Sequence, residues 1–281
     1  MMEGAEVAEQ KRIWEEKQAT LRSQLITHDV HTWTVPGGPV CPLQGPPGNE
    51  LRFVGGVDVS FSQTDPDLAC AALVVIDLTK LQEPVPGSAK FSDTGGDAVV
   101  YERCELVRLD VPYLPGFLGF REVPVLRPLL EEVAQERPDI APQVILVDGN
   151  GILHPRGFGS ACHLGVACHM ATIGVGKNFF HLDGLTSDGV RARAEARGLQ
   201  PGEAMDIVGE SGRVWGAAYR THAGSTKPIF VSVGHLLSLD TAVKIVRACC
   251  RFRVPEPVRQ ADMRSRERLR QHDVRAAATS G

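Results

Sequence analysis

The segment FVGGVDVSF (53–61) sets Asp58 in the middle of an otherwise apolar strand, and QVILVDGNG (143–151) ends a second apolar run on Asp148. An ionised carboxylate buried without compensation costs several kcal/mol, so each must be paired, protonated or metal-bound. The fold therefore has to bring compensating groups to both. Period-two alternation puts Val57, Val59 and Phe61 on one face of the first strand and Asp58 and Ser60 on the other. Asp148 closes its own strand, the end at which parallel strands present ligands. A single strand Asp more often only hydrogen-bonds a loop. Two of them on neighbouring strands, with Glu122, His154, Lys177 and His235 elsewhere in the chain, fit a divalent-metal site for phosphodiester chemistry.

The order of elements supports that neighbourhood. An amphipathic helix over 5–28 carries Ile13, Leu21 and Leu25 at helical spacing, and a Pro/Gly-dense loop follows at 36–50. Three strands are predicted at 51–61, 68–78 and 97–110, with a polar excursion at 83–96 between the second and third. The second is almost wholly apolar, which suits a strand covered on both faces. A helix at 119–136 repeats Val123, Leu126, Leu129, Leu130 and Val133 at three-to-four spacing. Strand 143–148, helix 159–170 and strand 171–176 come next, then strands 213–220 and 228–233 and a helix over 238–251 with Ser238 as N-cap. A three-strand meander followed by helix, strand, helix, strand predicts a mixed α/β sheet, antiparallel first and parallel after the crossover. One catalytic domain over 51–262 is expected, decorated by the N-terminal helix and loop of 1–50 and followed by a basic, flexible tail from 263 to 281.

Charge is uneven. The chain totals −4, yet residues 251–275 hold eight arginines against four acids, a local +4 that leaves −8 on the rest. Such a segment can contact phosphates, or can be a solvated helix end. Seven cysteines without a CxxC pair support neither a disulfide framework nor a zinc ribbon. The apolar stretch 69–76 is too short to span a bilayer, and the first residues hold no signal-peptide core. No membrane association and a cytoplasmic location, with nuclear or nucleolar entry open, are the expectations.

Other stretches are suggestive alone. DGNGILHPRGFG (148–159) offers glycines for close approach of a ligand, with His154 and Arg156 on one loop. PYLPGFLGFRE (112–122) makes a proline-stiffened turn with Tyr113 at its tip, able to stack on a base or merely to pack under its own loop. Lys177 in GVGK lacks the spacing of a phosphate loop.

Taken in order, GGVDVSF, PYLPGFLGFRE, VDGNGILHPRGFG, IGVGK, SVGH and PEPVRQAD resemble the motifs of the endonuclease V family, over roughly residues 50–265. GVGKN (174–178) departs from the family's usual GVAKK, and the loops at 36–50 and 83–96 belong to this chain. The resemblance implies an RNase H-like fold and cleavage at the second phosphodiester 3′ to inosine, with animal-type members directed to RNA. It implies metal ligation by Asp58, Glu122, Asp148 and Asp262, with Lys177 and His235 beside the metals. It makes Pro112, Tyr113, Leu114 and Pro115 a base-separating wedge, and Gly116, Leu118, Gly151, His154 and Gly159 the base pocket. The implied cofactor is Mg²⁺, with Mn²⁺ as a substitute. The implied partners of a monomeric enzyme are inosine-containing single-stranded RNA and deaminated DNA. A structure-selective DNA nuclease and a non-catalytic inosine-RNA binder are the competing readings.

Overall fold

LACAALVVID (Leu68–Asp77) is buried along its whole length, and the reason is a helix layer on each side of it. The structure is a computed structural model that describes residues 4–35, 49–81 and 95–279, so the loops expected at 36–50 and 83–96 lie almost entirely outside the described residues. Strands β1 (Phe53–Phe61), β2 (Leu68–Asp77) and β3 (Val99–Arg108) form the expected antiparallel meander. Helix α2 (Leu118–Glu136; α1 is Gly4–Arg22) crosses over to β4 (Val144–Asp148), which pairs in parallel with β1. Helix α3 (Ser160–Cys168) leads to β5 (Thr172–Gly176), again parallel.

The sheet then extends outward. Helix α4 (Ser187–Ala196), strands β6 (Ala204–Val208), β7 (Val214–Tyr219) and β8 (Ile229–His235), and helices α5 (Leu239–Cys249) and α6 (Glu256–Thr279) complete the chain. Eight strands stand in the order β3-β2-β1-β4-β5-β8-β7-β6. This is the RNase H-like mixed sheet expected from the sequence, lengthened by an antiparallel trio.

Alternation sorts the core into two layers. Val57, Val59, Leu73, Ile145 and Val147 meet Val123, Leu126, Leu130 and Val133 of α2 and Leu164 of α3. On the opposite face Val54, Leu146, Ile173 and Val231 meet Ile245 and Val246 of α5 and Val258 of α6. Gly56 is required here. A Cβ on it would lie 2.1 Å from the Pro257 carbonyl carbon, so its bareness admits the start of α6 against β1 rather than a ligand.

Two stretches differ from the sequence reading. Residues 263–279, expected as a flexible tail, continue α6 across the sheet, with Ser265 and Leu269 buried. Arginine density hid a narrow inward row of Val258, Ala261, Ser265 and Leu269, four of the helix's few small or apolar positions. Helix α4 and strand β6 were not anticipated. The first buries only Val190 and Ala194, and the second is an edge strand burying only Ile207, so neither carries a strong period.

Candidate metal and nucleic-acid site

Parallel pairing puts Val57 beside Val147, so the next residues, Asp58 and Asp148, stand side by side at the C-terminal edge of the sheet. Helix α6 passes over that edge and adds Asp262. One carboxylate oxygen from each of Asp58, Asp148 and Asp262 lies within 4.8 Å of the other two. An oxygen-only donor set of this size suits a hard cation such as Mg²⁺ or Mn²⁺, which keeps several of its waters.

Asp58 is the deepest of the trio. Ser60 Oγ and Ser265 Oγ donate to its Oδ2 at 2.9 and 2.8 Å, and the two hydroxyl oxygens are 2.8 Å apart. Burial pushes the Asp58 carboxyl up from its ordinary value, the charges of Asp148 and Asp262 add to the push, and the two serines oppose it. Lys177 Nζ donates to Asp148 Oδ2 at 2.8 Å, and Arg266 Nε to Asp262 Oδ1 at 2.7 Å. Each of these two carboxylates thus has a cation of its own, while among the described residues Asp58 is held by the two serine hydroxyls.

Glu122, in the second turn of α2, is buried close by. Its carboxyl is raised well above the ordinary carboxylate range, first by burial and then by the charges of Asp58 and Asp148. It stands within electrostatic reach of the trio but is not one of the three whose oxygens converge.

His235 is elsewhere. It ends β8, which runs antiparallel to β5, and it pairs with Thr172 at the start of β5, whereas Asp148 pairs with Val175 near that strand's end. The imidazole is therefore two strands across from Asp148 and about 10 Å further back along the sheet. Its Nδ1 accepts the Ile26 N–H at 3.2 Å, and Leu236 N–H bonds to Ile26 O at 2.7 Å. The placement beside the metals expected from the SVGH motif is corrected: His235 stitches the segment after α1 to the sheet.

A cleft open to solvent begins where the carboxylates end, because Gly149 and Asn150 line it directly after Asp148. Of the expected pocket residues, Gly116, Leu118, His154 and Gly159 line it and Gly151 does not. A Cβ on Gly151 would sit 1.9 Å from Val233 O, and its N–H bonds to Ser232 Oγ at 2.8 Å, so that glycine serves packing against β8. Tyr113, 61% exposed, stands at the mouth. Pro112, Leu114 and Pro115 shape its turn without lining the cleft. Phe180, 47% exposed, also lines the cleft, edge-on to the His154 ring, and was not anticipated.

Neither were Gln18, Phe117, Phe120, Phe158, Ser160 and His163, all of which line the cleft. Trp14 of α1 stacks on Phe120 with ring centres 5.0 Å apart. His154 and His163 are held to pKa values of about 4, in each case mainly by burial and for His154 also by the Arg156 charge. The cleft is thus neutral and largely aromatic, in contrast to the acidic edge next to it. No signal in the sequence tied α1 to this cleft, since the contacts span more than ninety residues.

A protein-family model described as Endonuclease V matches residues 42–263. Endonuclease V of Homo sapiens is 42% identical over 259 residues, spanning 92% of this chain and 83% of that protein. Endonuclease V of Mus musculus is 43% identical, over 92% of this chain and 69% of that protein. The crystal structure of the catalytic domain of human Endonuclease V superposes with a TM-score of 0.79, covering 94% of this chain and 97% of that one at 42% identity. Ciona intestinalis Endonuclease V, solved with a 24mer DNA containing an inosine followed by a ribo-adenosine, superposes with a TM-score of 0.78, covering 94% and 99% at 33% identity.

Proposed function

This chain belongs to the endonuclease V family, and on that premise we propose that it hydrolyses the second phosphodiester bond 3′ to inosine in a Mg²⁺-dependent reaction. Single-stranded RNA is its preferred substrate, deaminated DNA a second one, and Mn²⁺ a substitute ion. The carrying observation is contiguity: Asp148 closes the carboxylate cluster and the next two residues open the cleft. A base held in that cleft leaves its own 3′ backbone lying over the carboxylates.

Asp58, Asp148 and Asp262 would hold the divalent ion, which would supply a lowered pKa for a water and an offset to the phosphate charge. The residues around it have distinct tasks. Ser60 and Ser265 fix the rotamer of Asp58 through its Oδ2. Lys177 orients Asp148 and keeps an ammonium beside the developing charge on the phosphate oxygens. Glu122 supplies a fourth carboxyl, and a cation bound nearby would oppose the upward push that burial gives it. In-line attack of water opposite the 3′ oxygen leaves a 5′-phosphate and a 3′-hydroxyl.

Selectivity comes from the neutral cleft. Hypoxanthine lacks the exocyclic amine of guanine and reverses the donor–acceptor pattern of adenine on its Watson–Crick edge. Each buried polar group left unpaired by a wrong base costs about 1–3 kcal/mol. Tyr113 at the mouth is placed to stack against the neighbouring base as the inosine is extruded. Extrusion costs less in a single strand than in a duplex, which favours single-stranded RNA.

Matched single-stranded oligonucleotides carrying inosine or adenosine, in RNA and in DNA, with Mg²⁺ or EDTA, test the reading. A Mg²⁺-dependent nick at the second bond, stronger in RNA, is the expected result. Equal cutting of adenosine strands would replace it with a general nuclease, and tight inosine binding without a nick would replace it with a silent binder.

A further inference from the structure

Helix α1 lies ahead of residues 42–263, which the family model matches, yet Gln18 is 4% exposed and lines the cleft. Its Nε2 donates to Phe158 O at 2.7 Å and lies 3.4 Å from Gly116 O. Its Oε1 accepts from Arg156 Nε. Arg156 in turn donates from Nη2 to Gly116 O at 2.6 Å and lays its guanidinium over the Phe117 ring at 4.0 Å. One amide and one guanidinium thus hold the carbonyls of both cleft walls, Gly116 on the loop before α2 and Phe158 on the loop before α3.

The other ends of those two peptide units are held as well. Phe117 N–H bonds to Leu114 O at 3.0 Å, and Gly159 N–H to Gly151 O at 2.9 Å. Gly116 has φ +81°, a backbone state that glycine enters readily and from which its peptide can also turn. A Cβ there would fall 2.6 Å from Arg156 Nη2, so the guanidinium occupies the very space that glycine leaves. Without Gln18 the Gly116 carbonyl keeps Arg156 and the His154 ring, whereas the Phe158 carbonyl loses the one partner it has among the described residues and becomes a free acceptor beside the cleft.

A free acceptor in this place has a chemical consequence. It would reward a base that carries an exocyclic amine, and hypoxanthine carries none. We propose that Gln18, acting with Arg156, is a specificity-determining positioning residue that keeps the Gly116 and Phe158 carbonyls turned away from the bound base. The N-terminal helix is then part of the discrimination between inosine and guanosine, and the inference rests on the inosine-directed nuclease reading above. Gln18 touches neither the scissile phosphate nor the carboxylates, so its effect falls on KM and on base preference rather than on the chemical step.

The test uses the full chain with Gln18→Met, close in volume and apolar, and with Gln18→Ala. Both are compared with the wild type on single-stranded RNAs that differ only in inosine, guanosine or adenosine at one position. Arg12→Ala, on the exposed side of α1, is the control. In the Gln18→Met protein the guanosine-to-inosine ratio of kcat/KM is expected to rise about tenfold, a typical effect of one unpaired polar group. KM for inosine RNA should rise several-fold while kcat moves less, and Arg12→Ala should leave all three unchanged. An unaltered ratio in Gln18→Met overturns the proposal. So does a parallel fall of every rate together with the unfolding midpoint in both variants, which would mark Gln18 as a packing residue only. A wild type without preference for inosine would instead overturn the nuclease reading on which the proposal rests.

Discussion

The carboxylate edge and the cleft are adjacent but are built in opposite ways. The edge is made by register: two strands side by side deliver Asp58 and Asp148 together, and one helix adds Asp262. The cleft is made by assembly, from α1, the turn and first residues of α2, the loop and first turn of α3, and Phe180. The edge concentrates like charge, and the cleft excludes charge. A site made by register tolerates little change in the residue at each position. A site made by assembly instead depends on the groups that hold its walls apart.

The largest effect should come from the edge. Asp58→Asn or Asp148→Asn is expected to lower single-turnover cleavage on the order of 10³-fold while inosine-RNA affinity stays within about tenfold. Turnover near the wild-type value would remove both residues from the metal site. Ser265→Ala removes one of the two hydroxyls that donate to Asp58 among the described residues and should cost cleavage on the order of 10- to 100-fold, as losses of such supporting groups do. If combining it with Ser60→Ala multiplied the two losses independently, the shared Oδ2 contact would not be their common route.

On the cleft side, Tyr113→Ala should raise the dissociation constant for inosine RNA about tenfold and leave metal-dependent turnover of bound substrate less affected, in keeping with the loss of one stacked base. Equal affinity by anisotropy would make Tyr113 an ordinary exposed side chain. The smallest effect is on stability against pH. His154 titrates at about 4 in the folded chain and at 6.5 when unfolded, so the unfolded state binds more protons in between. Its contribution is full above pH 6.5 and is lost as the pH falls toward 4. Asp58 and Glu122, with raised values, act in the opposite sense and gain stability on acidification. Chemical denaturation at pH 7 and pH 5.5 should therefore show His154→Gln losing about 1 kcal/mol less than the wild type on acidification. Parallel losses would mean that His154 is not kept neutral by its surroundings.

How much could be read from the sequence follows the same division. Strand alternation and end position already placed Asp58 and Asp148 together, because both are local properties of short segments. The motif PEPVRQAD brought in Asp262, but the stretch of the helix beyond it, from 263, was read as a tail, and the Ser265 contact with Asp58 across 207 residues was invisible. Deleting residues 264–281 would thus remove the Asp58 support along with the arginines. His235 failed for a plain reason. A motif names a residue type, whereas only the antiparallel direction of β8 decides at which edge of the sheet its last residue falls. Gln18 could not be found at all, since its bond to Phe158 joins positions 140 apart and a lone Gln on an amphipathic helix reads as solvated surface.

The hairpin turn between β6 and β7 bears on how the molecule could be taken apart. Gly212 has φ +79° with open space where a side chain would be, and residues 211–213 are exposed. A backbone opened at such a tip disturbs little of the core. One piece would carry Asp58 and Asp148, the other Asp262 and Ser265, so each piece alone is silent. Fused to two proteins that meet, the halves would recover cleavage only on encounter, and a nicked inosine strand would become a record of that meeting.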